Sequence, residues 1–135
     1  MKLNMQEKDL FEYAVIRVVP RVEREEFLNV GVILFCSKQK FLKALCKLDE
    51  QKITAVYGSS LDVMEIEDIE ENLNSFVKIA EGGEGAGPIG KLDMPSRFRW
   101  LTATRSTVLQ TSKVHPGFCE DPQQTLERLF DQLVV

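Results

Sequence analysis

The most constraining feature of the sequence is an almost unbroken apolar run at residues 26–36, EFLNVGVILFC. Alternate apolar positions predict one buried face of a β-strand, because successive side chains of a strand point to opposite sides. The even face of this run consists of Leu28, Val30, Val32, Leu34 and Cys36, and the odd face of Phe27, Asn29, Gly31, Ile33 and Phe35. Both faces are mostly apolar, which predicts a central strand that is covered on both sides, at least in part.

Shorter runs before and after it predict two neighbouring strands. Residues 13–19, YAVIRVV, are rich in the β-branched and aromatic residues that strands favour. Residues 41–48, FLKALCKL, alternate, with apolar side chains pointing inward and with Lys43 and Lys47 pointing outward. Only short charged or polar segments join the three runs, so they predict a three-stranded antiparallel meander.

Helix periodicity and capping residues predict the remaining elements. In chain order they are a short helix at 50–57 capped by Asp49, a long amphipathic helix from Asp62 to about Ala80, a short helix capped by Ser96, a fourth strand at 106–112 and a final helix opened by Asp121 and Pro122. This order predicts a two-layer α+β fold, in which a mainly antiparallel sheet of about four strands packs against two or three helices. We expect one domain at 13–135, preceded by a polar segment at 1–12.

Composition argues against several classes of protein. With 44% hydrophobic and 28% charged residues, the 135-residue chain resembles a globular domain rather than a disordered or fibrous protein. Its apolar runs are too short for a membrane helix and its start is too polar for a secretory signal, so we expect a cytoplasmic protein with no membrane partner. The net charge of −4 argues against a nucleic-acid partner.

A glycine-rich loop is predicted at 82–96, where five glycines and two prolines occur. The spacing from Gly85 to Lys91 matches that of a phosphate-binding loop. Such a loop needs a strand before it, whereas this one follows a predicted helix, and Leu92 stands where Mg²⁺ binding needs Ser or Thr. We therefore expect a flexible loop that holds no nucleotide.

Other catalytic and metal-binding arrangements have little support. A zinc site would combine His115 with Cys36, Cys46 and Cys119, which lack the tight spacing of paired zinc ligands. A hydrolytic site would pair Ser106 with His115, but no nucleophile elbow surrounds the serine. We expect no cofactor and no metal.

The segment 97–113 is the basic part of an acidic chain. It contains three arginines, one lysine and a tryptophan but no acidic residue. Guanidinium groups beside an aromatic ring suit a phosphate, a carboxylate or an acidic partner. The alternative is that they pair with acidic residues of the long predicted helix. The predicted binding residues in and next to this segment are Arg97, Arg99, Trp100, Arg105, Ser106 and His115.

Two polar residues interrupt the predicted strands. Asn29 lies in the apolar run, and Arg17 is the polar member of one face of the strand at 13–19. A buried polar side chain needs hydrogen-bond partners, and Gly31 leaves room for a close approach to the backbone. We predict that Arg17, Asn29 and Arg105 converge, either as a buried network that fixes the strand register or as the floor of a binding pocket.

Three stretches carry a resemblance to a known family: YAVIRVVPRVEREEFLNVGVILF, RFRWLTATRSTVLQTSKVHPG and the terminal LERLF. They include an E-F-x-N-V-G-V run at 26–32 and an R-F-x-W-L segment at 97–101 followed by Arg105 and Ser106. In these features the chain resembles the bacterial domain-of-unknown-function family 3037. The resemblance implies no enzymatic activity and no cofactor. Genes of this family often lie beside one for a HipA-like kinase, so it implies a kinase partner of the toxin-antitoxin type.

Two functions of different classes follow from these observations. A non-catalytic binding or regulatory module would dock a HipA-like kinase through its sheet edge or its basic segment. A small hydrolase or nuclease-like enzyme would instead use Arg17, Asn29, Arg105, Ser106 and His115 in one polar cleft. The sequence favours the binding module, because the chain has one histidine and the basic segment contains no carboxylate to act as a general base.

Overall fold

A computed structural model describes residues 8–19, 26–57, 63–104 and 108–135. The strands are β1 (Asp9–Val18), β2 (Leu28–Cys36), β3 (Phe41–Cys46), β4 (Leu109–Thr111) and β5 (His115–Cys119). The helices are α1 (Glu50–Tyr57), α2 (Val63–Glu81), α3 (Gly87–Gly90), α4 (Met94–Leu101) and α5 (Pro122–Leu133), and a 3-10 turn spans Glu84–Ala86. In these parts of the chain no helix is both long and apolar enough to cross a membrane.

The described strands form one antiparallel sheet, which confirms the predicted α+β fold. β2 pairs with β1 on one side and with β3 on the other, so the apolar run is an interior strand as predicted. The far side of β1 is shared, because β5 pairs with its first half and β4 with its second half. β5 and β4 therefore follow one another along this edge of β1.

Helices cover both faces of this sheet, so the prediction of two layers was wrong. α2 and α4 pack on one face, which we call the α2 side, and α5 packs on the other, the α5 side. The buried strand residues alternate between the two cores, because both faces of β1 and β2 carry apolar side chains. Lys43, predicted to point outward, lies on the α5 side, where its ammonium group is 3.4 Å from Gln123 Oε1.

A β-bulge in β2 changes the predicted faces of the apolar run. Ile16 of β1 lies opposite Gly31, but the next residue, Arg17, lies opposite Asn29, so Val30 is an extra residue. The alternation reverses at this point. The even-numbered residues are therefore divided between the two cores, with Leu28 and Val30 on the α2 side and with Val32, Leu34 and Cys36 on the α5 side.

Aspartate side chains cap the N-termini of three helices. The Asp49 and Asp121 side chains accept hydrogen bonds from backbone amides at the starts of α1 and α5, as predicted. α4 begins earlier than predicted, because Asp93 rather than Ser96 is its cap and accepts a 2.8 Å bond from the Ser96 amide. A hydrogen bond from the Ser96 hydroxyl, together with this backbone bond, lowers the pKa of the Asp93 carboxyl.

The remaining differences from the sequence prediction are shifted element boundaries and one strand that was not predicted. β1 begins at Asp9, inside the segment predicted to be a polar N-terminal extension, and β5 was not predicted at all because its sequence, HPGFC, contains a proline and a glycine. The predicted start of the long helix, Asp62, lies outside the described residues. Within 82–96, the structure shows a 3-10 turn, α3 and the start of α4, and the Gly83 amide donates to the Gly90 carbonyl.

Gly31 is required by the packing of the strands. A Cβ atom added there would lie 2.7 Å from both the Cys46 sulfur and the Leu45 carbonyl oxygen, and 3.1 Å from the Ile16 side chain. We expect Gly31→Ala to lower the free energy of unfolding by about 1–3 kcal/mol, because backbone and buried neighbours must shift. Urea denaturation measures this loss, and Gly85→Ala, where an added Cβ meets nothing within 4 Å, is the matched control. Equal losses of unfolding free energy in the two variants would show that the close contacts around Gly31 do not exclude a larger side chain.

Candidate functional site

The structure divides the predicted site residues between the two sides of the sheet. Arg17 and Asn29 belong to the α5 side, and His115 lies opposite Tyr13 on that same side. Arg97 and Arg99 belong to α4 on the α2 side. The predicted residues that the structure describes therefore do not form one surface, and each side is considered by itself.

On the α5 side, polar residues of three strands form a row. Arg17 of β1 lies opposite Asn29 of β2 and opposite Gln110 of β4. Directly opposed residues of antiparallel strands project from the same face, with Cβ atoms about 4.5–5.5 Å apart. We call Gln110, Arg17 and Asn29 the polar row. The β-bulge creates it, because regular alternation would place Val30 opposite Arg17.

The Arg17 guanidinium stacks on an aromatic ring. Its central carbon lies 4.1 Å from the centroid of the Phe27 ring, which is within the range of a cation–π contact. Arg17 is half-buried and Phe27 is exposed. The Nε atom of Arg17 is shielded from solvent and has no hydrogen-bond partner among the residues that the structure describes. A buried N–H donor without an acceptor is uncommon in folded proteins and marks this position as a candidate contact for a ligand.

Asn29 uses one end of its amide and leaves the other end unused. Its Nδ2 atom donates a 3.1 Å hydrogen bond to the Leu133 carbonyl in the last turn of α5. Its Oδ1 atom is buried and has no hydrogen-bond partner in the described parts of the chain. Asn29 also lines a pocket of about 170 Å³ between β2, the segment after β3 and the end of α5, together with Leu28, Val30, Lys47, Asp49, Lys52, Val134 and Val135.

His115 is exposed on the same side of the sheet, at the other end of β1. Its ring lies 5.3 Å from that of Tyr13, its cross-strand partner, with the two ring planes inclined by 37°. The polar row and His115 are thus placed along one face of β1. Arg105 and Ser106, which were predicted to join Arg17 and Asn29, lie outside the described residues.

Arg97, on the α2 side, is part of the interior of the protein. Only 9% of it is exposed. Its guanidinium donates to the Leu92 carbonyl at 2.7 Å and to the Ala80 carbonyl, near the end of α2, at 3.4 Å. Gly82 packs against it, since a Cβ there would lie 2.9 Å from the guanidinium carbon. Arg97 therefore joins α4 to the end of α2 and is not available to an external partner.

Arg99, two residues further along α4, makes an ion pair with β1. Its two terminal nitrogens bond the two carboxylate oxygens of Glu12 at 3.0 and 3.1 Å, and its side chain is 59% exposed. This acid lies on a strand, whereas the sequence suggested the acidic helix as the internal partner. Trp100 beside it is exposed. The cation of Arg99 is thus already matched by a carboxylate.

The cysteines do not form a metal site with the histidine. Cys46 lies on the α2 side, whereas Cys36 and Cys119 lie in the α5-side core. Among the described residues, no group of three or more His, Cys, Asp and Glu side chains is placed to hold a metal ion. Burial raises the pKa of the Cys46 thiol to about 12 and that of Cys119 to about 11, which suits packing rather than nucleophilic roles.

Three features of the two surfaces were not identified from the sequence. Phe27 and Gln110 complete the surroundings of Arg17, and the pairing of β1 with β4 and the contact across β1 and β2 were needed to place them there. Leu10 and Phe118 lie directly opposite each other on β1 and β5, and both are more than half exposed. If β5 had been recognised as a strand, its pairing with β1 would have placed Phe118 opposite Leu10.

A known family matches most of the chain. Residues 13–134 match the family described as Protein of unknown function (DUF3037). The chain belongs to the DUF3037 family. The match extends from β1 to the end of α5 and so includes the polar row and His115. No curated protein and no solved structure matches this DUF3037 chain.

Proposed function

We propose that this DUF3037 chain is a non-catalytic binding module that docks a protein partner on the α5 side of its sheet. The observation that carries the proposal is the polar row, where Arg17 and Asn29 hold a buried donor and a buried acceptor for which the described residues supply no partner. The exposed aromatic ring of Phe27 lies beside them. Arginine and aromatic side chains are the types that most often dominate the energy of protein–protein contacts.

The basic segment supports the proposal less than its composition suggested. Arg97 is used inside the fold, and Arg99 is paired with Glu12. An acidic or phosphorylated ligand on the α2 side would have to compete with that carboxylate for the Arg99 guanidinium. Arg97 Nε also has no partner among the described residues, but Arg97 is enclosed by the fold, whereas Arg17 is half-buried beside an exposed ring. We therefore assign the partner to the α5 side.

The alternative function, a small hydrolase or nuclease-like enzyme, has less support. The α5 side presents one common general base among the predicted residues, His115, and its ring packs against Tyr13. Hydrolysis needs a base within hydrogen-bond reach of a nucleophile or of a bound water. The sequence candidate for that nucleophile, Ser106, is not among the described residues.

For the partner we propose a HipA-like kinase in the bacterial cytoplasm, in a toxin-antitoxin or defence-type system. The support is the resemblance of the chain to a family whose genes often neighbour one for such a kinase. A regulatory partner of a kinase needs a specific surface and no turnover of its own. The net charge of −4 also repels nucleic acid, which favours a protein as the partner.

Co-expression with a HipA-like kinase encoded beside the gene tests this proposal. We expect the wild-type chain to co-purify with the kinase and Asn29→Leu to lose the complex while its melting temperature stays close to that of wild type. A large fall in melting temperature would instead indicate that Asn29 serves a structural network. Failure of the folded wild-type chain to form any complex would contradict the kinase as partner.

A further inference from the structure

The two unused polar atoms of the polar row have opposite hydrogen-bonding character. Arg17 Nε carries a hydrogen and can only donate, and Asn29 Oδ1 can only accept. The two residues are directly opposed across β1 and β2 and project from the same face. A donor and an acceptor are therefore carried by directly opposed residues of neighbouring strands.

Neighbouring groups fix which atom of each side chain is left unused. The bond from Asn29 Nδ2 to the Leu133 carbonyl sets the orientation of the amide, because the reversed amide would place two oxygen atoms against each other. The Phe27 ring holds the face of the Arg17 guanidinium at 4.1 Å, which leaves the edge of the group for hydrogen bonds. The orientation of the Asn29 acceptor is thus set before a ligand binds.

The chemistry of this pair selects among ligand groups. A carboxylate or a phosphate satisfies Arg17 but presents a further oxygen to Asn29 Oδ1. An ammonium group satisfies Asn29 but is repelled by the guanidinium. An amide carries both a carbonyl acceptor and an N–H donor, so it satisfies both residues at once.

We propose that the polar row recognises an amide group, supplied by a peptide segment of the protein partner, whose carbonyl accepts from Arg17 Nε and whose N–H donates to Asn29 Oδ1. This inference rests on the proposed function and specifies its ligand chemistry. The Phe27 ring is 48% exposed and lies over the guanidinium. Both polar atoms are closed to solvent in the structure, so the side chains that cover them shift when the segment binds.

The competing explanation is that a single water molecule bridges the two atoms, since water also accepts and donates. Three small probes separate the explanations. N-methylacetamide has both the acceptor and the donor, N,N-dimethylacetamide keeps the acceptor but lacks the N–H, and acetate offers only acceptors with a negative charge.

The measurement is an NMR titration of the ¹⁵N-labelled wild-type chain with each probe, which follows the Arg17 Nε–H and Asn29 side-chain amide resonances. We expect N-methylacetamide to shift both resonances saturably and N,N-dimethylacetamide to bind at least about fivefold more weakly, because it leaves Asn29 Oδ1 unsatisfied. Acetate is expected to shift the Arg17 resonance alone. Equal affinity for the two amides, tighter binding of acetate, or no saturable shift with any probe would overturn the inference.

A variant and the complex distinguish this inference from the proposed function. In Asn29→Leu, the preference for N-methylacetamide over N,N-dimethylacetamide should disappear. Since the wild-type titration alone decides between the amides, the test does not depend on the folding of this variant. If the kinase complex forms and depends on Arg17 while the amides are not distinguished, the proposed function stands and the amide inference fails.

Discussion

Replacing Phe98 by alanine is expected to lower the free energy of unfolding by about 3–5 kcal/mol. The side chain has 0% exposure, and its ring lies 5.2 Å from that of Phe35, so it joins α4 to β2 within the α2-side core. Removal of the ring leaves a cavity that neighbouring side chains fill only in part. Because a domain of this size is stable by about 5–15 kcal/mol, this single change takes a large share of the total.

The matched control is Phe118→Ala, which makes the same chemical change at a side chain that is 59% exposed. We expect it to lower the free energy of unfolding by less than about 1 kcal/mol, because little apolar surface returns to water. Urea denaturation of the two variants, analysed with the same m-value, compares their free energies of unfolding. Similar losses in both would contradict the position of α4 on the sheet.

The second large effect is expected at Arg97. Arg97→Met keeps a long apolar stem but leaves the Leu92 and Ala80 carbonyls without the guanidinium that bonds them. Each buried polar group without a partner costs about 1–3 kcal/mol, so we expect a loss of about 2–4 kcal/mol. Thermal and urea unfolding both measure it.

Arg99→Met is the control for this change, in the same helix and with the same substitution. It removes an exposed ion pair with Glu12, and such pairs contribute about 0–1 kcal/mol. The two arginines therefore differ in role although they stand two positions apart in the sequence. A greater loss of stability in Arg99→Met than in Arg97→Met would contradict the assignment of Arg97 to the interior.

Local patterns were sufficient to predict most of the elements. The apolar run at 26–36 predicted an interior strand, and the capping aspartates Asp49 and Asp121 predicted the starts of two helices, because these signals depend on neighbouring residues alone. The long helix was predicted from its apolar stripe and ends within one residue of the expected position, at Glu81.

The candidate site could be predicted only in part, because it depends on register. The polar character of Arg17 and Asn29 indicated that they were unusual, and the structure places them opposite each other. The bulge that brings them together adds one residue to β2. No local pattern in a strand that is apolar on both faces marks such an insertion. Sequence alternation therefore assigned Val30 to the wrong face.

The different roles of Arg97 and Arg99 could not be read from their sequence neighbours. Both lie in a basic segment, but Arg97 points to the end of α2 and Arg99 points to β1. Which carbonyls or carboxylates an arginine meets depends on how the helix packs against distant parts of the chain. A cluster of like charges in sequence is thus no evidence for one charged surface.

The central claim is that the α5 side, and not the α2 side, binds the protein partner. The measurement that tests it most directly is the dissociation constant of the complex with a HipA-like kinase for Arg17→Met and for Arg99→Met, with both variants checked for folding. We predict that Arg17→Met weakens the complex by about 30-fold or more, as loss of a central contact worth about 2 kcal/mol requires. Arg99→Met should change the dissociation constant by less than about threefold, since it alters an exposed ion pair on the opposite side. An unchanged constant for Arg17→Met together with a large loss for Arg99→Met would contradict the account and assign the partner to the α2 side.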